Sequence, residues 1–279
     1  MGRMQAGLGR SVTYRSGREL PRPLISSLPA PPAATCHRPL PTGSKSHSMI
    51  SCFHLTVAHP HHKRPLLDDI SLEVEKGDFA EIVGPAGAGK SLLFSILSLR
   101  SKVAHGKCII AGRNLDRLDP NAIAELRQTL GSCAQQPTFL DERTALENLI
   151  LPLVARGRAE GALETVEAQI EGTRLEQLER VPAGGLSDAE RRLLGIYRAL
   201  VGRPRLVLVD GGLEGLGELE ADAIAGLRAA SERGATIVLT GRQLSALDGL
   251  RTRTLRLNDG RLEADGAPSE NPAAIHGAA

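Results

Sequence analysis

"FAEIVGPAGAGKSLLFSIL", residues 79 to 97, decides how this chain is read. Gly84 to Ser91 fit G-x-x-x-x-G-K-[ST] in full, between an apolar run suited to a strand (79 to 83) and a second run that opens a helix at Lys90. Strand, glycine-rich loop and helix are the context that a phosphate-binding loop needs. Gly84, Gly87 and Gly89, with Pro85, Ala86 and Ala88 between them, let consecutive backbone N–H groups curl around a polyphosphate. The helix N-terminus, with Leu92 in its first turn, adds positive partial charge. Lys90 then reaches the terminal phosphates, and Ser91 offers a hydroxyl to Mg²⁺.

A second stretch, "RLVLVDGG" (205 to 212), is an apolar strand that ends in one carboxylate, Asp210. It is expected to lie beside the phosphate-loop strand, which makes Asp210 a second Mg²⁺ anchor. A purely structural acid is the alternative reading. Two glycines, Gly211 and Gly212, follow it and need an explanation.

The surrounding pattern alternates strands and helices. Strands are expected at roughly 50 to 57, 70 to 75, 79 to 83, 107 to 111, 131 to 135, 205 to 210 and 235 to 240. Helices are expected from Lys90, at 120 to 129 behind Pro120, at 188 to 201, 218 to 232 and 243 to 249, with a mostly helical insert at about 142 to 180. A hairpin, "TLRLNDGRLEA", turns on Asn258-Asp259-Gly260. The fold class is α/β: a mainly parallel sheet flanked by helices, with an antiparallel β part and a helical subdomain.

Composition agrees with this. Hydrophobic residues make up 41% of 279, yet there are only four Phe, two Tyr and no Trp, so the core is aliphatic, as in a helix-covered parallel sheet. The four cysteines, Cys36, Cys52, Cys108 and Cys133, lack CxxC spacing, which argues against a zinc knuckle or a disulfide framework and for a reducing compartment. No run approaches the ~18 apolar residues that a membrane span needs. The net charge of +2 hides an asymmetry, because residues 1 to 48 carry seven Arg and Lys against Glu19 and hold seven of the 17 prolines. We read 1 to 48 as a disordered basic extension. An upstream start codon, with Met49 as the natural beginning, is preferred over a transit peptide. Residues 49 to 265 form the domain, with the helical subdomain at about 137 to 186, and 266 to 279 form a flexible tail.

Three segments, "LLDDISLEVEKGDFAEIVGPAGAGKSLL", "LGSCAQQPTFLDERTALENLILPL" and "LSDAERRLLGIYRALVGRPRLVLVD", resemble in order and spacing the nucleotide-binding subunit of ABC transporters. The likeness is greatest to the stand-alone ATPases of lipoprotein export and cell division. The resemblance covers about residues 50 to 265. It implies Mg·ATP as ligand, with Ser91, Gln135 and Asp210 around the metal and Gln135 sensing the attacking water. It also implies His59 stacking on adenine, and Ser187 of the signature helix contacting ATP bound to the opposite subunit. The partners it implies are a membrane permease, docked at the surface around Glu147 and Asn148, and a second ATPase subunit, identical or not; no nucleic acid is implied. The expected location is cytoplasmic, peripheral on the inner face of the membrane. The neighbouring His54, His61 and His62 are irregularly spaced and read as solvated rather than metal-binding.

Four departures from the family bear on turnover. The glutamate that polarises water is Gly211, a loss that typically costs about 10²- to 10⁴-fold in rate. The histidine at the γ-phosphate is Gly241. The seam loop reads "EGLG" (214 to 217). The signature reads "LSDAE", in which Ser187 and Glu190 make a capping box but Asp188 faces the opposite subunit's γ-phosphate. Two unit charges about 5 Å apart at an effective dielectric near 20 repel by roughly 3 kcal/mol. Glu214, on a glycine loop expected to be unrestrained, is a candidate substitute base, and Arg242 a candidate substitute for the histidine; a surface acid and a surface arginine are the preferred readings. The function implied is the ATP-binding subunit of an ABC transporter complex with weak or absent hydrolysis of its own. The alternative is a non-transporting, ATP-dependent regulatory module on a membrane partner.

Overall fold

The computed structural model describes residues 48–59, 61, 64–242 and 252–263. The expected helix at 243 to 249, the tail from 266 and all but Ser48 of the basic extension lie outside them. Ten strands are described: β1 (Ser48–Val57), β2 (Leu67–Glu75), β3 (Phe79–Val83), β4 (His105–Ile110), β5 (Arg113–Asn114), β6 (Leu130–Cys133), β7 (Leu206–Asp210), β8 (Thr236–Gly241), β9 (Thr252–Asn258) and β10 (Arg261–Leu262). The α-helices are α1 (Lys90–Leu97), α2 (Pro120–Gln128), α3 (Ala145–Ala155), α4 (Ala162–Ile170), α5 (Arg174–Leu178), α6 (Asp188–Leu200) and α7 (Glu220–Glu232).

The main sheet runs β10-β9-β3-β8-β7-β6, parallel throughout except at the β9–β10 hairpin. β3 and β7 are buried along their whole length, which is why both read as mainly apolar runs, with Glu81 and Asp210 as their buried acids. Because successive side chains of a strand point to opposite faces, each strand feeds two cores. Phe79, Val207, Val209, Ile237 and Leu239 pack with the faces of α3 to α7. Ala80, Ile82, Leu206, Leu208, Val238, Leu255 and Leu257 pack with α1, α2 and a second, antiparallel sheet ordered β2-β1-β4-β5. The α/β class with an antiparallel part and a helical insert is therefore as expected.

One expected neighbour relation is corrected. The strand that carries Asp210 does not pair with the phosphate-loop strand, because β8 lies between them. A second correction concerns Asn148. It is fully buried, with its amide donating to the carbonyls of Leu140, Arg143 and Thr144 and its Oδ1 accepting from the Leu140 N–H at 3.0 Å. It is the internal knot of the 140–144 loop and so cannot itself form the outer surface. Glu147 is exposed and closes a capping box with Thr144, whose backbone N–H is the main reason that the Glu147 carboxyl lies below its ordinary pKa.

Candidate functional site

Parallel register brings the working loops to one level. Val83 pairs with Gly241, Asp210 with Thr240 and Cys133 with Val209, so the residues that follow these strands emerge side by side at their carboxyl ends. There they line a cleft of about 310 Å³ formed by Ala86 to Leu92, Gln135, Asp210, Gly211, Glu214, Gly241 and Arg242.

The loop from Gly84 is tied down on both sides. The Gly84 N–H donates to Gly241 O at 3.2 Å, and the Gly260 N–H of the β9–β10 turn donates to Ala88 O at 3.1 Å. Gly84 is required by close approach rather than by φ, since a Cβ there would lie 1.9 Å from Leu257 O. Gly89, the cap of α1, has φ 101 and leaves the helix N–H groups open toward the cleft. The Lys90 ammonium spans the loop, donating to the carbonyls of Gly84 at 2.6 Å and Pro85 at 2.7 Å. Burial lowers its pKa, and the carboxylates of Glu214 and Asp210 partly offset this.

Although β8 separates the two strands, Asp210 reaches the loop. Its Oδ1 accepts from Ser91 Oγ at 3.4 Å and also from the buried hydroxyl of Thr240. Gln135 enters the same cleft from the end of β6. Gly211 and Gly212 have φ 81 and 54, the left-handed region, and a Cβ on Gly211 would lie 2.9 Å from Gln135 Cγ.

The loop that carries Glu214 is not the unrestrained one expected. Leu213 and Leu216 are buried in the core, the Glu214 N–H donates to Gly211 O at 3.3 Å, and Glu214 Oε1 accepts from the Arg242 N–H at 2.6 Å. Apolar anchors in "GGLEGLG" were the available signal. Glu214 and Arg242 both line the cleft.

His59 is not among the lining residues. Its Nδ1 accepts from the His61 N–H at 3.0 Å, in the segment after β1. His54 pairs with Asp69 at 2.6 Å with both side chains largely exposed, and no group of three or more potential metal ligands is found among the described residues. Ser187 stands apart on the N-cap of α6, its Oγ donating to Glu190 Oε2 at 2.9 Å and accepting from the Glu190 N–H at 3.3 Å. Asp188 is exposed in the first turn of that helix.

Sequence reasoning missed Arg192. It falls on the apolar stripe of α6 with Ile196 and Ala199, and a charged residue at such a position is the signal that was available. The structure buries it behind Asp210 and Gly211.

A glycine-rich loop capping a helix, with a lysine across it and a serine bonded to a strand-end aspartate, defines a P-loop nucleotide-binding protein. The family model described as ABC transporter matches residues 67–213, and the chain belongs to that family as one of its ATP-binding cassettes. Similar curated proteins include the methionine import ATP-binding protein MetN of Cupriavidus metallidurans, 32% identical over 204 residues, which are 72% of this chain and 59% of that protein. This chain thus spans less than two thirds of that relative. The cell division ATP-binding protein FtsE of Mycobacterium tuberculosis is 29% identical over 78% of this chain and 95% of its own length. The arginine transport ATP-binding protein ArtP of Haemophilus influenzae is 32% identical over 74% and 88%. Among solved structures, a dimeric post-hydrolysis ATP-binding cassette bound to ADP and phosphate covers 79% of this chain and 99% of itself, with TM-score 0.69 and 23% identity. That likeness supports the fold.

Proposed function

We propose that this chain binds Mg·ATP and couples its occupancy to a membrane permease, from the cytoplasmic face and as a pair of ATPase subunits, while hydrolysing ATP slowly or not at all. The observation that carries the binding half is the convergence of Lys90, Ser91, Gln135 and Asp210 on one cleft, with Ser91 bonded to Asp210. One carboxylate, one hydroxyl and one amide suit Mg²⁺, which keeps several waters and takes further oxygens from substrate phosphates instead of using an all-protein cage. Ser91, Gln135 and Asp210 would hold the ion. When bound, it would neutralise phosphate charge. Lys90 would exchange its two loop carbonyls for phosphate oxygens, and the N–H groups of 86 to 91 would supply the rest of the cradle.

The catalytic half rests on what lines the cleft at the two substituted positions: Gly211 and Gly241 present hydrogen atoms where the family presents a carboxylate and an imidazole. Glu214 is the nearest candidate base, but its carboxylate is committed to the Arg242 backbone and approaches that residue's Nε at 3.9 Å. A general base must hold a water within hydrogen-bond reach, and this carboxylate is oriented by the Arg242 backbone instead. We therefore expect Glu214→Gln to leave phosphate release within about twofold of the parent. Brisk release by the parent that collapses in this variant would overturn the reading.

Occupancy has its own test. The melting temperature is expected to rise with Mg·ATP, and Lys90→Ala to abolish the rise through at least a tenfold loss of affinity, read by a nucleotide titration. An unchanged affinity in Lys90→Ala would remove the P-loop from the account. The exposed apolar side chains Leu140, Leu151 and Val154 on and beside α3 support permease docking on the helical subdomain. A pull-down from membranes with and without ATP tests that step. Capture of a partner that lacks a transport pathway would instead favour the regulatory module.

A further inference from the structure

Arg192 is 6% exposed, and among the described residues its guanidinium donates hydrogen bonds to main-chain carbonyls and a thiol. Nη1 donates to Ala134 O at 2.6 Å and to Cys133 Sγ at 3.5 Å; Nη2 donates to Gly212 O at 2.8 Å and to Asp210 O. Burial raises the Cys133 pKa, so the sulfur is a neutral neighbour and not a thiolate counter-ion. No carboxylate pairs with Arg192 among the described residues.

Two strand ends meet on this one group. Ala134 precedes Gln135 at the end of β6, and Asp210 ends β7. The left-handed conformations of Gly211 and Gly212 are what allow the carbonyls on either side of Gly211 to converge on one point. A Cβ on Gly211 would lie 3.4 Å from Nη2 on one side and 2.9 Å from Gln135 Cγ on the other. The glycine is thus the thin spacer between the guanidinium and the glutamine. A planar fork with five donors can hold three carbonyls in fixed directions, whereas an ammonium acts as a point charge.

We infer that Arg192 is a positioning residue of the metal side of the cleft: by gathering the carbonyls of Ala134, Asp210 and Gly212 it sets Gln135 and Asp210 relative to Ser91. The inference rests on the Mg·ATP reading above. It assigns Gly211 and Gly212 a structural use, as the hinge that turns two carbonyls toward the guanidinium. It also distinguishes two sides of the cleft, which meet at Asp210 through its bonds to Ser91 and Thr240. The phosphate side is braced by β8 and the β9–β10 turn, and the metal side by Arg192.

The test compares ATP affinity in excess Mg²⁺ with ATP affinity in EDTA, for the full chain and for Arg192→Gln. The expected result is an affinity in EDTA within twofold of the parent, and at least a tenfold loss of the increment that Mg²⁺ confers. Arg192→Lys, which keeps the charge without the fork, should recover only part of that increment, and it carries the comparison if the glutamine variant fails to fold. Amide hydrogen exchange on the nucleotide-free protein supplies a readout independent of ligand: peptides covering 133–136 and 210–213 should lose protection in the variant while 84–92 keep theirs. Equal losses of affinity with and without Mg²⁺, or exchange that rises uniformly, would reduce Arg192 to a general stabiliser and overturn the inference. A parent chain that binds ATP no better with Mg²⁺ than without would instead count against the Mg·ATP reading, with the exchange data still deciding the role of Arg192.

Discussion

Asp188→Ala is expected to tighten Mg·ATP-dependent pairing of this chain by about a hundredfold per interface site. In the proposed pair of ATPase subunits, the start of α6 would face the γ-phosphate held by the opposite subunit. An aspartate there places like charges about 5 Å apart, a repulsion of roughly 3 kcal/mol at an effective dielectric near 20, which corresponds to about two powers of ten in a dissociation constant. In the isolated chain the same carboxylate sits in the first turn of α6, where the helix dipole favours it by about 0.3 to 1 kcal/mol. The variant should therefore be slightly less stable as a monomer and much more inclined to pair. The capping box of Ser187 and Glu190 is untouched, so the helix start survives the change. Sedimentation velocity in Mg·ATP would register the shift, and high salt should shrink the difference between parent and variant. Unchanged association at low salt would show that the signature turn does not meet phosphate.

The second large effect is an absence. Gly211→Glu restores the side chain that the family uses on water, and a chain lacking only its base should gain about 10²- to 10⁴-fold in phosphate release. Here the expected gain is less than threefold. Position 211 has φ 81, which costs a residue with a Cβ roughly 1 to 2 kcal/mol, and the new Cβ would have to displace Gln135, whose Cγ it would approach to 2.9 Å. The carboxylate would also find the Arg192 guanidinium close at hand and pair with it in preference to water. A lower urea midpoint together with background release is the predicted outcome. A gain of tenfold or more would sink the idea that the turn itself, and not only the missing carboxylate, is adapted to a silent site.

Legibility in the sequence followed how local each determinant is. The phosphate loop was readable because every part of it is contiguous: strand 79 to 83 appears with the bounds expected, and α1 opens at Lys90. Helix starts were readable for the same reason, since Pro120 marks one and Ser187 with Glu190, three residues apart, caps another; the Asp119 cap of α2 is a further local determinant that the structure adds. Strand order was not. Nothing in the run 205 to 210 says that β8 will insert between it and β3, because that order depends on which crossovers pack best against both faces. Asn148 was misjudged as surface because its four partners are backbone groups, which carry no residue identity to read. Arg192 was missed for a similar reason, since its oxygen acceptors are carbonyls at the ends of two strands distant in sequence. For Glu214 the missing information was the burial of Leu213 and Leu216, which turns a glycine-rich loop into a fixed one.

The bracing of the phosphate loop by the β9–β10 turn also has a meaning in time. Gly84 lies against the backbone of Leu257, and Ala88 receives the amide of Gly260, which in turn offers its carbonyl to the Asp68 amide at the start of β2. The segment that reads as a self-contained motif near residue 90 is therefore finished by residues made about 170 positions later. During synthesis on the ribosome the loop, its lysine and its serine all emerge well before the strand that gives them their shape. The newborn chain carries the full motif but not the pocket. The braced form of the loop therefore requires β9, paired with β3, and the turn that follows it.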